Sequence, residues 1–154
     1  NEKSQLGSAG ALLNAKKKIK DFFLISNGDT YFDIDINKLT KNFNYKNYLG
    51  IIAGYKINSK KRKNFDNFII KDNILLSIVK KKDNHKIINS GIAIFNKEII
   101  EYLNKKSFSL EKEIYPRLIK ERKIQAVAFK KNFIDIGTQK DLKFIKKNNL
   151  NIFK

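Results

Sequence analysis

Apolar residues in this chain arrive in runs of strand length, separated by stretches spaced like helices, and that alternation restricts the fold more than any other feature. Phe22-Phe23-Leu24-Ile25 is a continuous apolar run bounded by Asp21 and by Asn27-Gly28-Asp29, the pattern of a buried parallel strand. Leu49 to Tyr55, Gly91 to Phe95 and Ile124 to Phe129 read as further strands, and Phe133 to Gly137 as a short extended segment. Between them, Gly7 to Gly10 reads as a turn leading into Ala11 to Ile19, whose Leu12, Leu13, Ala15 and Ile19 share one helical face. Asn37 to Phe43 and Lys97 to Leu103 are short helices on the same reading. Ser109 can cap a helix through Lys120 that Pro116 bends. Thr138 with Asp141 marks a last helix to about Lys147, and residues 148–154 read as a frayed tail. Phe65 to Lys71 and Ile74 to Lys80 flank Asp72-Asn73, a hairpin signature. Strands alternating with helices predict an α/β fold with a mixed sheet.

At 154 residues the chain can bury one core, and 42% hydrophobic residues suffice for it. No cysteine is present, which excludes disulfides and thiolate chemistry. No apolar stretch nears the roughly 18 residues of a membrane span, and residues 1–20 lack a secretory pattern, so a soluble, cytoplasmic protein is expected. The chain opens on Asn1 and contains no Met, so it reads as processed or as part of a longer protein.

The net charge of +18 would suit a nucleic-acid partner. Yet among 33 basic residues only Arg62, Arg117 and Arg122 are arginine, whereas base readout and bidentate phosphate binding favour Arg. Lys, Ile and Asn share A/T-rich codons, so a low-GC genome accounts for the charge, and nucleic acid is not the expected partner. A basic surface still attracts anionic substrates.

Two acidic positions follow apolar strands and adjoin glycines: Asp29 in Ser26-Asn27-Gly28-Asp29-Thr30, and Asp135 in Phe133-Ile134-Asp135-Ile136-Gly137. Ligands of open α/β sheets bind beyond strand carboxyl ends, where the pair could seat Mg²⁺. Read alone, each leaves a second possibility open, an Asn-Gly-Asp turn for one and a plain cap for the other. Asn89-Ser90-Gly91 alone is equally a loop entering a strand, and Glu111-Lys112 an exposed first helical turn. His85, in a Lys/Asn-rich loop, reads as solvated rather than catalytic.

The order and spacing of Leu6 to Leu12, Asn27-Gly28-Asp29, Asn89-Ser90-Gly91, Ser109 to Lys112 and Phe133 to Thr138 resembles the sugar-phosphate nucleotidyltransferases, also called nucleoside-diphosphate-sugar pyrophosphorylases. Asn27 to Asp35 is most similar to the heptose- and hexose-1-phosphate guanylyltransferase branch. The resemblance implies a Rossmann-like, mixed and mostly parallel sheet lacking its opening βαβ portion. Residues 1–147 would then be the C-terminal part of the domain, with the apolar edge of Phe22 to Ile25 open to self-association. It implies transfer of a nucleotidyl group from a nucleoside triphosphate, GTP for this branch, to a sugar 1-phosphate, with Mg²⁺ on Asp29 and Asp135. Gly7, Ser8, Gly10, Asn27 and Gly28 would face the nucleotide; Lys81, Asn89, Gly91, Glu111 and Lys112 would face the sugar phosphate. The chain also departs from the family pattern. It has no G-x-G-T-R loop, Val79-Lys80-Lys81 stands where a Glu-Lys pair is usual, and Asp66 replaces a glycine. A part of the enzyme without that loop would be inactive alone. The rival reading is a non-catalytic remnant or a basic nucleic-acid-binding module.

Overall fold

The computed structural model describes residues 6–57, 66–80, 86–104, 108–137, 139 and 142–143. In chain order these form α1 (Gly7–Ala15), a 3-10 turn (Lys16–Lys18), β1 (Phe22–Ser26), β2 (Thr30–Phe32), α2 (Ile36–Asn42), β3 (Gly50–Lys56), β4 (Asp66–Lys71), β5 (Ile74–Lys80) and β6 (Ile87–Asn96). A 3-10 helix (Lys97–Tyr102), a π-helical turn (Leu110–Ile114), α3 (Tyr115–Lys120), β7 (Ile124–Phe129) and β8 (Phe133–Asp135) complete the set. Residues 81–85, with Lys81 and His85, lie outside the described residues, as do Thr138, Asp141 and the tail; Gln139, Leu142 and Lys143 are helical. Among the described residues no helix is long and apolar enough to cross a membrane.

Six strands form one sheet in the order β1-β6-β3-β7-β5-β4, and β2 pairs with β8 in a separate ribbon. The sheet is mixed, as expected, but parallel pairing does not dominate it. Among the described strands only β3 and β7 run parallel, while β6 is antiparallel to both β1 and β3. Wedged between strands of one direction, β6 makes both of its junctions antiparallel.

Alternating side chains divide the interior into two layers. Ile52, Ala93 and Phe95 point to the face covered by α1, the π-turn and α3, together with Ala9, Leu12, Leu110 and Leu118. Ile51, Ala53, Ile92 and Ile94 point to the opposite face, against Leu39 and Phe43 of α2. Strand β3 is buried on both faces, hence its unbroken Ile51-Ile52-Ala53 run. The similar run in β1 does not have that environment. Expected to be a buried parallel strand, β1 is antiparallel to β6 and alternates in exposure, with Phe22 46% and Leu24 50% exposed. It occupies the sheet's edge, so only Phe23 and Ile25 reach the core.

Local chemistry explains the turns. Asp72 and Asn73 have φ of 50° and 59°, the left-handed pair that a two-residue hairpin needs. The helix after Ser109 opens as a wide turn in which the Tyr115 N–H donates to the Leu110 carbonyl. Pro116, lacking an N–H, then stands at the start of α3 instead of bending a longer helix. At the amino end, α1 begins at Gly7 rather than after Gly10, because the Ala9 N–H donates to the distant Phe108 carbonyl (3.1 Å) and the chain is already helical there.

The expected loop at Asn89-Ser90-Gly91 lies inside β6, which starts at Ile87. Pairing with β3 shifts register between Ile52 and Gly54, the mark of a bulge. The Ser90 hydroxyl, 1% exposed, fills the gap. It donates to the Ala53 carbonyl (2.7 Å) and accepts from the Ile92 N–H (3.3 Å). Among the described residues no buried side-chain nitrogen or oxygen lacks a partner. Ser90→Ala should therefore strand two buried backbone groups and lower unfolding free energy by about 1–3 kcal/mol. A fall in urea midpoint at unchanged m-value is the expected result.

Candidate active site

The short ribbon β2–β8 carries the two aspartates. Thr30 pairs with Asp135 and Phe32 with Phe133, and the Ile136 N–H donates to the Asp29 carbonyl (2.8 Å) beyond the last pair. A three-residue ribbon is too short to stand alone. It is pinned to the sheet by rings: Phe133 stacks on Tyr55 of β3 at 4.6 Å, and Phe32 meets Tyr55, Phe129 and Phe133 edge-on at 5.7, 6.4 and 5.5 Å. Burying Phe32 (7% exposed) thus fixes a pairing between segments far apart in sequence.

Both carboxylates converge on Gly137. A Cβ placed there would lie 3.0 Å from Asp29 Oδ2 and 3.1 Å from Asp135 Oδ1, so any side chain at this position would crowd both carboxylates. The Gly137 N–H donates to Asp135 Oδ1 (2.9 Å) and the Thr30 hydroxyl to Asp29 Oδ1 (3.3 Å). The Lys97–Asp21 ion pair lies elsewhere, and among the described residues neither Asp29 nor Asp135 is matched by a Lys or Arg. Nor do the described residues hold any group of three or more His, Asp or Glu able to hold a metal. Two facing carboxylates around a small open space are a donor set that suits Mg²⁺, which takes few protein oxygens and keeps water or phosphate for the rest.

The end of β1 joins this ribbon to β6. The Asn27 N–H donates to the Gly91 carbonyl (3.0 Å), and the Asn89 side chain accepts from the Gly91 N–H (2.9 Å). Gly91 has φ of +77°, and a Cβ on it would sit 2.4 Å from Asn27 Nδ2. Gly28, by contrast, faces open space. Hydrogen bonds therefore link three backbone segments, one with Asn27, Gly28 and Asp29, one with Asn89 and Gly91, and one with Asp135.

A second group forms where α1 meets the π-turn. Gly7 (φ +67°) packs so closely on Phe108 that a Cβ would fall 2.1 Å from its carbonyl oxygen. Ser8 and Ser109 hydroxyls both donate to Glu111 Oε2, at 3.0 and 2.9 Å. The backbone N–H of Lys112 donates to Ser109 Oγ (3.2 Å), while its side chain is exposed. Gly10 is half-buried within α1. Ser109, read from the sequence as a helix cap, does cap the turn, whereas its bond to Glu111 and the place of Gly137 between the aspartates were not read from the sequence. A glycine two residues after a strand-end aspartate was the available signal for Gly137.

A profile of the nucleotidyl transferase family matches residues 1–151. The chain belongs to that family. It is 32% identical over 146 residues to the D-glycero-α-D-manno-heptose 1-phosphate guanylyltransferase of Campylobacter jejuni, covering 91% of this chain and 62% of that protein. It is 31% identical to the bifunctional protein GlmU of Methanocaldococcus jannaschii, covering 88% of this chain and 33% of that one. Among solved structures, HddC from Yersinia pseudotuberculosis superposes with a TM-score of 0.79 at 32% identity, covering 96% of this chain and 64% of HddC. The complex of HddC with GMP-PN gives 0.74. The chain thus has the α/β fold of the nucleotidyl transferase family to which it belongs, and it spans less than two thirds of these relatives.

Gly91→Ala should force Asn27 aside and strain the backbone. A loss of about 1–3 kcal/mol is expected, read as a lowered thermal midpoint.

Proposed function

We propose that this chain supplies the metal-binding and sugar-phosphate-binding part of a Mg²⁺-dependent sugar-1-phosphate nucleotidyltransferase. The convergence of Asp29 and Asp135 on Gly137 carries the reading. The reaction joins a nucleoside triphosphate to a sugar 1-phosphate. A phosphate oxygen of the sugar attacks the α-phosphorus in line, a new P–O bond forms, and pyrophosphate leaves with the electron pair of the broken bond. Mg²⁺, when bound by the two aspartates, neutralises phosphate charge.

The chain's own part is positioning. Gly28, which faces open space, and the neighbouring Asn27 serve the nucleotide, and Gly7 and Gly10 offer a second approach at α1. Asn89, Gly91, Glu111 and Lys112 serve the sugar phosphate, a role the family resemblance also gives Lys81, which lies outside the described residues. GTP with a heptose or mannose 1-phosphate is the favoured substrate pair, because the similar C. jejuni protein is a heptose 1-phosphate guanylyltransferase and a mannose-1-phosphate guanyltransferase of Saccharomyces cerevisiae is 27% identical. On this reading, residues 1–147 are the C-terminal part of the catalytic domain. The 154 residues contain no G-x-G-T-R segment and span 62% of the C. jejuni protein, so the full reaction is proposed for a protein of that relative's length and not for these residues alone.

Asp29→Asn and Asp135→Asn, each in a protein of that length, should cut pyrophosphate release from GTP and mannose or heptose 1-phosphate by about a hundredfold or more. Turnover within a few-fold of the parent in either variant would remove the metal assignment. Mn²⁺ titration followed by electron paramagnetic resonance should show the same two variants losing the bound ion.

The open apolar edge of β1 also favours pairing with another strand. The 154-residue chain should self-associate, and Leu24→Lys should shift sedimentation velocity toward the monomer. Monomeric sedimentation of the parent chain at all concentrations is the contrary result.

A further inference from the structure

Ser8 stands in a glycine-flanked stretch whose resemblance assigns it to the nucleotide, but its bonds point elsewhere. A serine hydroxyl has one proton to give. Ser8 Oγ accepts from the Leu110 N–H (3.0 Å), which orients the hydroxyl, and its one proton is directed at Glu111 Oε2 (3.0 Å). Ser109 repeats the arrangement: its hydroxyl accepts from the Lys112 N–H and gives its proton to the same Glu111 oxygen. Two hydroxyls, each oriented by a backbone amide, therefore saturate Oε2, and bonds to an ionised acceptor are the strong kind. Rotation of the carboxylate is fixed. Among the described residues Oε1 takes no bond, and Glu111 is only half-buried.

The geometry points to Ser8 as a positioning residue for sugar recognition, holding Glu111 so that Oε1 accepts a hydroxyl of the sugar 1-phosphate. A carboxylate is an acceptor only, so a polyol is the ligand class it reads best. The α1 amino end is rigid enough for this role, because the Ala9 N–H is tied to Phe108 O (3.1 Å) and Gly7 packs on the same residue. Glu113 braces the far side, its Oε1 accepting from the Phe108 and Ser109 N–H groups at 3.0 Å each. This inference rests on the function proposed above.

The test is equilibrium binding by the protein at its natural full length, with mannose, heptose and glucose 1-phosphates and GTP as probes. Ser8→Ala should weaken the bound sugar phosphate about tenfold, the order expected for a lost bond to a charged group, and leave GTP within about twofold. Ser8→Thr should restore the parent value. In a Glu111→Gln background Ser8→Ala should have almost no further effect, because Ser8 acts through the carboxylate. Should Ser8→Ala fail to fold, Ser8→Cys, similar in size with a weak S–H donor, should show the same selective loss. Weakened GTP binding with unchanged sugar-phosphate binding would overturn the inference, as would additive losses in the double variant or no change at all. A parent protein that binds none of the sugar phosphates would overturn the proposed function itself and this inference with it.

Discussion

A single buried hydroxyl sits at the junction on which this structure turns. Strand β6 touches β1, β3 and β4, yet it carries one bulge, and Ser90 fills the bulge by bonding across to Ala53 and back to Ile92. Beyond it, Gly91 takes a left-handed conformation that turns its carbonyl toward Asn27. Were β6 regular, the loop after β1 would lose this anchor, and Asp29 would be held only through the β2–β8 ribbon. A defect in the ladder thus becomes an attachment point for the candidate site.

The second attachment is apolar. Phe32 and Phe133 oppose each other across the β2–β8 ribbon and meet Tyr55 and Phe129 of the sheet. Aromatic pairs contribute by area and by edge-to-face geometry, enough to hold a ribbon that backbone bonds alone would not. The two aspartates are carried at its end, so packing in the second core layer sets their approach. The approach of the two carboxylates at Gly137 thus depends on ring packing in that layer.

Much of the fold was legible where short-range rules decide. Ile124–Phe129 and the Asp72-Asn73 hairpin follow from strand propensity and from the tolerance of Asp and Asn for positive φ. Reading failed where a distant partner decides. The apolar run of β1 looks the same as a buried strand, but exposure depends on which neighbours flank it. The helix α1 starts early because Phe108 accepts its amide, and no local signal announces that bond. Thr30-Tyr31-Phe32 was not read as a strand, since three residues carry no period.

The candidate site divides the same way. Asp29 and Asp135 could be named from sequence because each follows an apolar segment and adjoins glycine, and their order matched a known series. Their meeting across one glycine could not, nor could the shared grip of Ser8 and Ser109 on Glu111. The sequence by itself determined the α/β alternation, the turn chemistry and the kinds of functional group available, since these rest on interactions between near neighbours. Only the tertiary structure decided which groups face each other, because cross-strand pairing and core burial join residues that the chain keeps far apart.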